Sequence, residues 1–147
     1  MKPTKLVIRV INMVNAICLD TRIVSRFLAK KTRAIELIQQ YKNADYEIYT
    51  TTVNVSELIM GLWKIGPISE HRMAELKDFF TDLHVRPFDF DAAIMAGKLH
   101  GDILRGKEIG WRDTFIAAIV LVHGKKIITS NSEHFARIPD IEVITYD

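Results

Sequence analysis

Three carboxylates stand where they could act together on a metal ion. Asp20 directly follows the apolar run AICL, Glu57 lies beside the apolar stripe of VNVSELIMGL, and Asp113 opens the nearly all-apolar segment DTFIAAIVLV. Each also has an ordinary structural explanation. Asp20 and Asp113 could cap helices, and Glu57 could be a solvated glutamate at the edge of a helical stripe. Taken one at a time, these residues leave both interpretations open.

Considered together, the three carboxylates indicate a divalent cation. Acidic groups that meet at one end of a sheet repel one another unless a cation neutralises them. Oxygen ligands without a histidine or cysteine cluster favour Mg²⁺ or Mn²⁺ over zinc, and such ions keep waters available for phosphate chemistry. The histidines show no HExxH or similar spacing, and we interpret each as a surface or satisfied core residue: 71, 84, 100, 123 and 134.

The elements that must position these carboxylates alternate along the chain. The strand candidates are AICL (16–19), EIYT (47–50), HVRPF (84–88), KIIT (126–129) and EVITYD (142–147). No hairpin turn joins any two neighbouring strands, so repeated β–α–β crossovers predict a three-layer α/β/α sandwich with a mainly parallel central sheet. Functional groups in such sheets gather at the carboxyl ends of the strands, which is where Asp20 lies.

The helical segments follow from apolar spacing and capping residues. They are two helices within 25–41 that meet near Lys31–Thr32, a helix after threonines 50–52, a hairpin turning at Gly66–Pro67, a long Ala-rich helix over 89–107, and a buried helix over 111–124 that Gly124 ends.

Composition narrows the class of protein. A chain of 147 residues, 48% of them hydrophobic, predicts one domain over 1–147 with a core of its own. No apolar stretch approaches the roughly 20 residues that span a bilayer. Cys18 is the single cysteine, which excludes an intrachain disulfide and favours a reducing, cytoplasmic location. The net charge of +2 permits a polyanionic partner without demanding one.

The first residues allow two interpretations. Arg9, Asn12 and Asn15 interrupt the apolar N-terminal stretch and no cleavage pattern follows, so we reject a signal peptide. Residues 1–12 are then either an appended leader or an extra edge strand formed by KLVIRVI.

Four spaced blocks carry a resemblance to a known family. They are LDTRIV (19–24), VSELIMG (55–61), AGKLHGDILRGKEIGWRDTFIAA (96–118) and ITSNSEHFARIPDIEV (128–143). In this order they resemble the successive blocks of VapC-like PIN domains, and the likeness spans residues 16–145. The third and fourth blocks are the more specific ones.

The resemblance implies a metal-dependent endoribonuclease, usually the toxin of a toxin–antitoxin pair. The family's acidic ligands fall on Asp20, Glu57 and Asp113. A further polar position falls on Asn131, which would contact a metal-bound water or support a second ion, with Glu133 as a substitute. Asn131 could equally be a turn residue after KIIT.

Three further residues are candidate substrate contacts. The resemblance implies that Thr129 hydrogen-bonds in the same crevice. Arg22 departs from the family, which has a small polar residue after the DT pair; its guanidinium would either compete with the metal or contact the scissile phosphate, unless it points to solvent. Arg112 belongs to a basic run before Asp113 that could bind phosphates. Solvated helix faces also explain such runs; their other members are Arg26, Lys30, Lys31, Arg33, Arg105 and Lys107.

Partners follow from the resemblance rather than from composition. It implies an RNA substrate, an antitoxin that inserts a basic side chain into the acidic pocket, and a symmetric homodimer. Leu62, Trp63 and Ile65 could belong to such surfaces or to the core. Three alternatives stay open: a PIN nuclease for RNA maturation, a non-catalytic module disabled by Arg22, and a phosphatase of the haloacid dehalogenase type. Arg22 argues against the last, which needs an aspartate at that position.

Overall fold

A parallel sheet forms the centre of the fold. The computed structural model describes residues 15–147, so the predicted leader or extra strand in 1–12 lies outside the described part. The strands are β1 (Ala16–Leu19), β2 (Glu47–Thr51), β3 (Val85–Arg86), β4 (Lys126–Thr129) and β5 (Glu142–Thr145). Their order across the sheet is β3-β2-β1-β4-β5, and every neighbouring pair is parallel. The predicted parallel sheet is confirmed.

Helices connect the strands as crossovers. They are α1 (Thr21–Leu28), α2 (Thr32–Asn43), α3 (Thr52–Ile65), α4 (Glu70–Leu83), α5 (Phe90–Lys98), α6 (Trp111–Val122) and α7 (Ser132–Ala136). The predicted break near Lys31–Thr32 and the turn at Gly66–Pro67 both occur. Thr51 is the N-cap of α3, and its hydroxyl accepts a hydrogen bond from the Asn54 N–H, as expected for a threonine before a helix.

The core lies in two layers on opposite faces of the sheet, because successive side chains of a strand alternate in direction. Cys18 and Ile127 pack with buried residues of α5, α6 and α7 on one face. Ile17 and Ile128 pack with buried residues of α1, α2 and α4 on the other. The predicted three-layer α/β/α sandwich is therefore confirmed, and the Cys18 thiol is buried as expected.

Two predicted elements differ from the structure. The long helix over 89–107 is wrong in its second half: α5 ends at Lys98, and Leu99–Ile103 form a wide π-helical turn. Gly97 and Gly101 weaken a regular helix here, and the wide turn brings Leu99 and Leu104 into the core. The strand over 84–88 is also shorter than predicted, since Pro87 has no N–H to continue the ladder.

The buried helix α6 is confirmed, and it ends close to Gly124. Gly124 has a positive φ of 91°, and a Cβ built on it would lie 2.6 Å from the Ala16 carbonyl oxygen. Only glycine fits this return into the sheet. None of the helices within residues 15–147 is long and apolar enough to cross a membrane.

Candidate active site

The predicted site residues meet at the carboxyl edge of the sheet, where β1 and β4 lie side by side. The chain runs from β1 to β2 and β3 on one side and returns to β4 and β5 on the other, so a crevice opens between β1 and β4. A cleft of about 680 Å³ occupies this place and is lined by Asp20, Glu57, Asp113 and Asn131 among others. Arg22 and Arg112 also line it.

Asp20 is held rigidly at the bottom of the cleft. Its N–H donates to the Ile128 carbonyl at 3.0 Å, which extends the β1–β4 pairing by one residue. Oδ1 accepts hydrogen bonds from the Thr21 N–H at 2.9 Å and from Asn54 Nδ2 at 2.7 Å. Oδ2 accepts from the Thr129 hydroxyl at 2.5 Å. Asp20 thus caps α1 and also faces the cleft, so the capping role and a role in the site are compatible.

Burial and a neighbouring charge act on the Asp20 carboxyl. Only 8% of the residue is exposed. Loss of hydration raises the pKa of Asp20, hydrogen bonds from Thr129, Thr21 and Asn54 oppose this, and the charge of Asp113 raises it further. Asp113 lines the same cleft, and its negative charge adds to the cost of ionising Asp20.

Thr129 hydrogen-bonds at the base of the cleft, as predicted, and its partner there is Asp20. Its side chain is fully buried, so it presents no surface to a ligand in the cleft. The hydroxyl donates to Asp20 and accepts from the Asn131 N–H at 2.9 Å. Thr129 therefore ties the end of β4 to Asp20 and positions that carboxylate.

Glu57 enters the cleft from α3 and has both carboxylate oxygens engaged. Oε2 accepts from the Thr21 hydroxyl at 2.8 Å, and Oε1 lies 3.1 Å from Arg112 Nη1. The side chain is 31% exposed, which agrees with a half-buried carboxylate that needs partners. The apolar stripe of α3 is what orients it, since Leu58 is buried in the core.

Asp113 lies in the first turn of α6 but is not its cap, because Gly110 holds the N-cap position. Its Oδ2 accepts from Asn131 Nδ2 at 2.8 Å and lies 2.6 Å from His134 Nδ1. His134 Nδ1 also lies 2.9 Å from Asn131 Nδ2, and the tautomer of the ring decides which of these contacts it donates to or accepts from. Asn131 therefore fixes Asp113 from the end of β4, and His134 does so from α7.

The two cleft arginines differ in their contacts. Arg112 forms the ion pair with Glu57, whereas within residues 15–147 no ion pair joins Arg22 to a carboxylate. Both are exposed residues at the rim. Arg112, rather than Arg22, is therefore the arginine placed to compete with a metal for a carboxylate.

The donor set suits a hard divalent cation. Asp20, Glu57, Asp113 and the Asn131 amide are all able to offer oxygens in one cleft, and the repulsion between Asp20 and Asp113 would be relieved by a cation between them. In the described part of the chain no three acidic, histidine or cysteine side chains are already gathered at metal-binding distance. Glu57 is drawn to Arg112, so its participation requires that this ion pair open.

Sequence reasoning missed two residues of the site. Asn54 is 1% exposed and donates to both Asp20 and the Thr21 hydroxyl, while its own oxygen accepts from Thr51. His134 was assigned to the surface or core but contacts Asp113. An asparagine three residues before Glu57, on the same helix stripe, was the available signal for Asn54.

The fold and this acidic cleft define the class of protein. Residues 17–141 match the family model of the PIN domain, and the chain belongs to that family. It is 32% identical over 95 residues to the tRNA(fMet)-specific endonuclease VapC of Salmonella typhimurium, covering 63% of this chain and 70% of that protein. It is 27% identical over 107 residues to Ribonuclease VapC of Rickettsia bellii, covering 67% and 76%. The chain is therefore a VapC-type member.

Solved structures show the same architecture. DNA-bound VapBC from Salmonella typhimurium matches with a TM-score of 0.71 and 26% identity, over 89% of this chain and 98% of that one. VapBC2 from Rickettsia felis, bound to a promoter DNA fragment, matches with a TM-score of 0.74 and 22% identity, over 90% and 99%. The second likeness shows the fold alone.

Proposed function

We propose that this protein is a metal-dependent endoribonuclease and the toxin of a toxin–antitoxin pair. The observation that carries the proposal is the convergence of Asp20, Glu57 and Asp113 in one cleft at the strand ends of a PIN fold. The relatives named as a ribonuclease and a tRNA-specific endonuclease support RNA as the substrate. Membership of the PIN family argues against the alternative of a haloacid dehalogenase-type phosphatase.

Asp20, Glu57 and Asp113 would hold Mg²⁺ or Mn²⁺, with Asn131 beside them. When bound, such an ion activates a water for attack on a phosphodiester and stabilises charge on the attacked phosphate. Thr129, Asn54 and Thr21 keep the Asp20 carboxylate at its place, and a fixed ligand costs little reorganisation on binding.

The arginines of the rim would bind RNA. Arg112 would bind a phosphate oxygen when Glu57 is engaged by a cation, because a guanidinium pairs with either a carboxylate or a phosphate. Arg22 and Arg26 line the opposite part of the cleft and add positive charge along the path of the backbone.

An antitoxin and a second copy of the chain are the proposed protein partners. The Salmonella structure is a VapBC complex, which supports an antitoxin for this chain. The Glu57–Arg112 pair shows that the acidic cleft accommodates a guanidinium, the group that a basic antitoxin side chain would supply. The cytoplasm is the proposed location. An RNA substrate is found there, and a free thiol such as that of Cys18 is typical of a reducing compartment.

Cleavage of total RNA tests the proposal. We expect Mg²⁺- or Mn²⁺-dependent cleavage by the wild type, none by Asp20→Ala, and normal cleavage by Asp78→Asn, an exposed carboxylate outside the cleft. Equal cleavage by wild type and Asp20→Ala would refute the site. Growth arrest that an antitoxin relieves would distinguish a toxin from an RNA-maturation nuclease. Mn²⁺ binding without cleavage would identify a non-catalytic module.

A further inference from the structure

Four aromatic rings, two of them on α6, form a row whose Phe115 lines a groove next to the cleft. Trp111 and His100 are stacked, with ring centroids 4.2 Å apart and an angle of 10° between their planes. Phe115 lies 5.5 Å from Trp111, and Phe88 lies 4.4 Å from Phe115. We call these four residues the aromatic row.

Core packing explains only one end of the aromatic row. Phe88 and Phe115 are partly buried and pack against the core beneath α6. Trp111 is 58% exposed although it is the largest side chain of the row. Because His100 covers one face of the indole, the ring is held in place while much of its surface remains open to a ligand.

The aromatic row is connected to the acidic cleft through a second groove. Trp111 immediately precedes Arg112 and Asp113 at the start of α6. A second groove of about 410 Å³ shares Glu57 and Arg112 with the cleft and extends to Phe115, which contacts Trp111. A nucleotide whose phosphate binds Arg112 would therefore have its base close to the aromatic row.

Exposed charges of both signs lie near Trp111 in sequence, and the acidic ones include Asp102 and Glu108. Arg105, Lys107 and Arg112 are exposed residues flanking Trp111 in sequence. Cationic side chains next to an exposed stacked aromatic are the combination that binds single-stranded nucleic acid, where phosphates pair with the cations and bases stack on the rings. A paired base within a duplex has no free face to offer.

We propose that Trp111, supported by His100, stacks on a nucleobase adjoining the scissile phosphate and so selects unpaired segments of RNA. The inference rests on the proposed function, since it assigns a contact to the substrate of that same cleft. Trp111 is a specificity-determining residue in this account, and the acidic groups perform the chemistry.

Tryptophan fluorescence tests this contact directly, because the chain has two tryptophans, Trp63 and Trp111. Trp63→Phe leaves Trp111 as the sole indole. In EDTA, where the protein cannot use a divalent ion, a short single-stranded oligoribonucleotide should quench its fluorescence, and the same sequence in a duplex should not. Unchanged fluorescence while the oligoribonucleotide binds would overturn the inference.

Substitution provides a second test with a matched control. Trp111→Ala should weaken binding of the single-stranded oligoribonucleotide about tenfold, and Trp111→Phe should restore most of it, because one stacked base is lost and regained. Trp63→Ala removes an indole of similar exposure, 52%, from α3 outside both grooves and should leave binding unchanged. Wild-type binding by Trp111→Ala would overturn the inference.

A protein partner is the competing occupant of the row. If Trp111→Ala bound the oligoribonucleotide normally but no longer formed the antitoxin complex, the surface would belong to that partner and the inference would be wrong. The proposed function would still stand if Asp20→Ala abolished cleavage by the otherwise wild-type protein. The proposed function would fail if Asp20→Ala and the wild-type protein cleaved RNA equally.

Discussion

Arg112 and Glu57 form an ion pair inside the acidic cleft, with Nη1 3.1 Å from Oε1. The pair joins the start of α6 to the middle of α3 across the opening where a cation would be bound. The positive charge of Arg112 therefore neutralises the Glu57 carboxylate in the absence of a cation. Its guanidinium would compete with a divalent cation for the same carboxylate.

Replacing Arg112 should consequently have opposite effects on metal and on RNA. In Arg112→Gln we expect the affinity for Mn²⁺, measured by calorimetry, to rise several-fold, because Glu57 is released from a half-exposed ion pair of modest strength. The affinity for an oligoribonucleotide in EDTA should fall, since a phosphate contact is lost. Arg72→Gln, which breaks an exposed ion pair with Glu75 outside the cleft, is the control. A fall in Mn²⁺ affinity for Arg112→Gln would contradict the competition.

Arg22 should matter less for the metal than its place after Asp20 suggested. If Arg22 competed with the metal, as one interpretation of the sequence has it, Arg22→Asn would raise metal affinity. Since Arg22 is exposed and Arg112 makes the recorded ion pair, we now expect Arg22→Asn to change Mn²⁺ affinity by less than about twofold, because solvent and salt screen exposed charges. An increase as large as that of Arg112→Gln would show that both arginines compete.

Asn54 should contribute to stability as well as to the site. Asn54→Ala removes the Nδ2 donor of Asp20 and leaves the Thr51 hydroxyl without its acceptor in a buried setting. We expect the free energy of unfolding in urea to fall by about 1–3 kcal/mol. Asn43→Ala, whose side chain makes an exposed hydrogen bond to Gln39, should change it by less than about 0.5 kcal/mol. Equal losses for the two variants would be inconsistent with this role.

His134 should act by positioning Asp113. His134→Ala removes the 2.6 Å contact to Oδ2, and we expect RNA cleavage to fall by about tenfold or more, as for other residues that orient metal ligands. Mn²⁺ affinity should fall in parallel. His134→Asn should recover part of both because its amide can donate to the carboxylate. If cleavage were lost while Mn²⁺ affinity stayed at the wild-type value, a positioning role would be wrong.

The sequence was sufficient for the carboxylates but not for the groups that hold them. Asp20 follows a strand, and Glu57 and Asp113 lie on helices with clear apolar stripes, so sheet topology and helical period bring them to one edge. The partners of Asn54 and His134 come from elements distant along the chain, and short polar side chains carry no periodic signal of such contacts.

Local geometry also decided what sequence patterns left open. Thr129 was expected to hydrogen-bond in the crevice, and the structure identifies Asp20 as the partner of its hydroxyl. Two basic residues flanked the acidic groups, and only the helix register of α6 brings Arg112, rather than Arg22, against Glu57. Sequence alone could not distinguish these two arginines, because each lies within two residues of a candidate acidic ligand.

The location of a bound cation tests the central claim most directly. A crystal grown with Mn²⁺ should show an anomalous scattering peak in the cleft, coordinated by oxygens of Asp20 and Asp113, with Arg112 withdrawn from Glu57. A crystal of Asp113→Asn grown under the same conditions should lack the peak. A peak outside the cleft, or none in the wild type at a Mn²⁺ concentration that supports RNA cleavage, would contradict the assignment of these carboxylates.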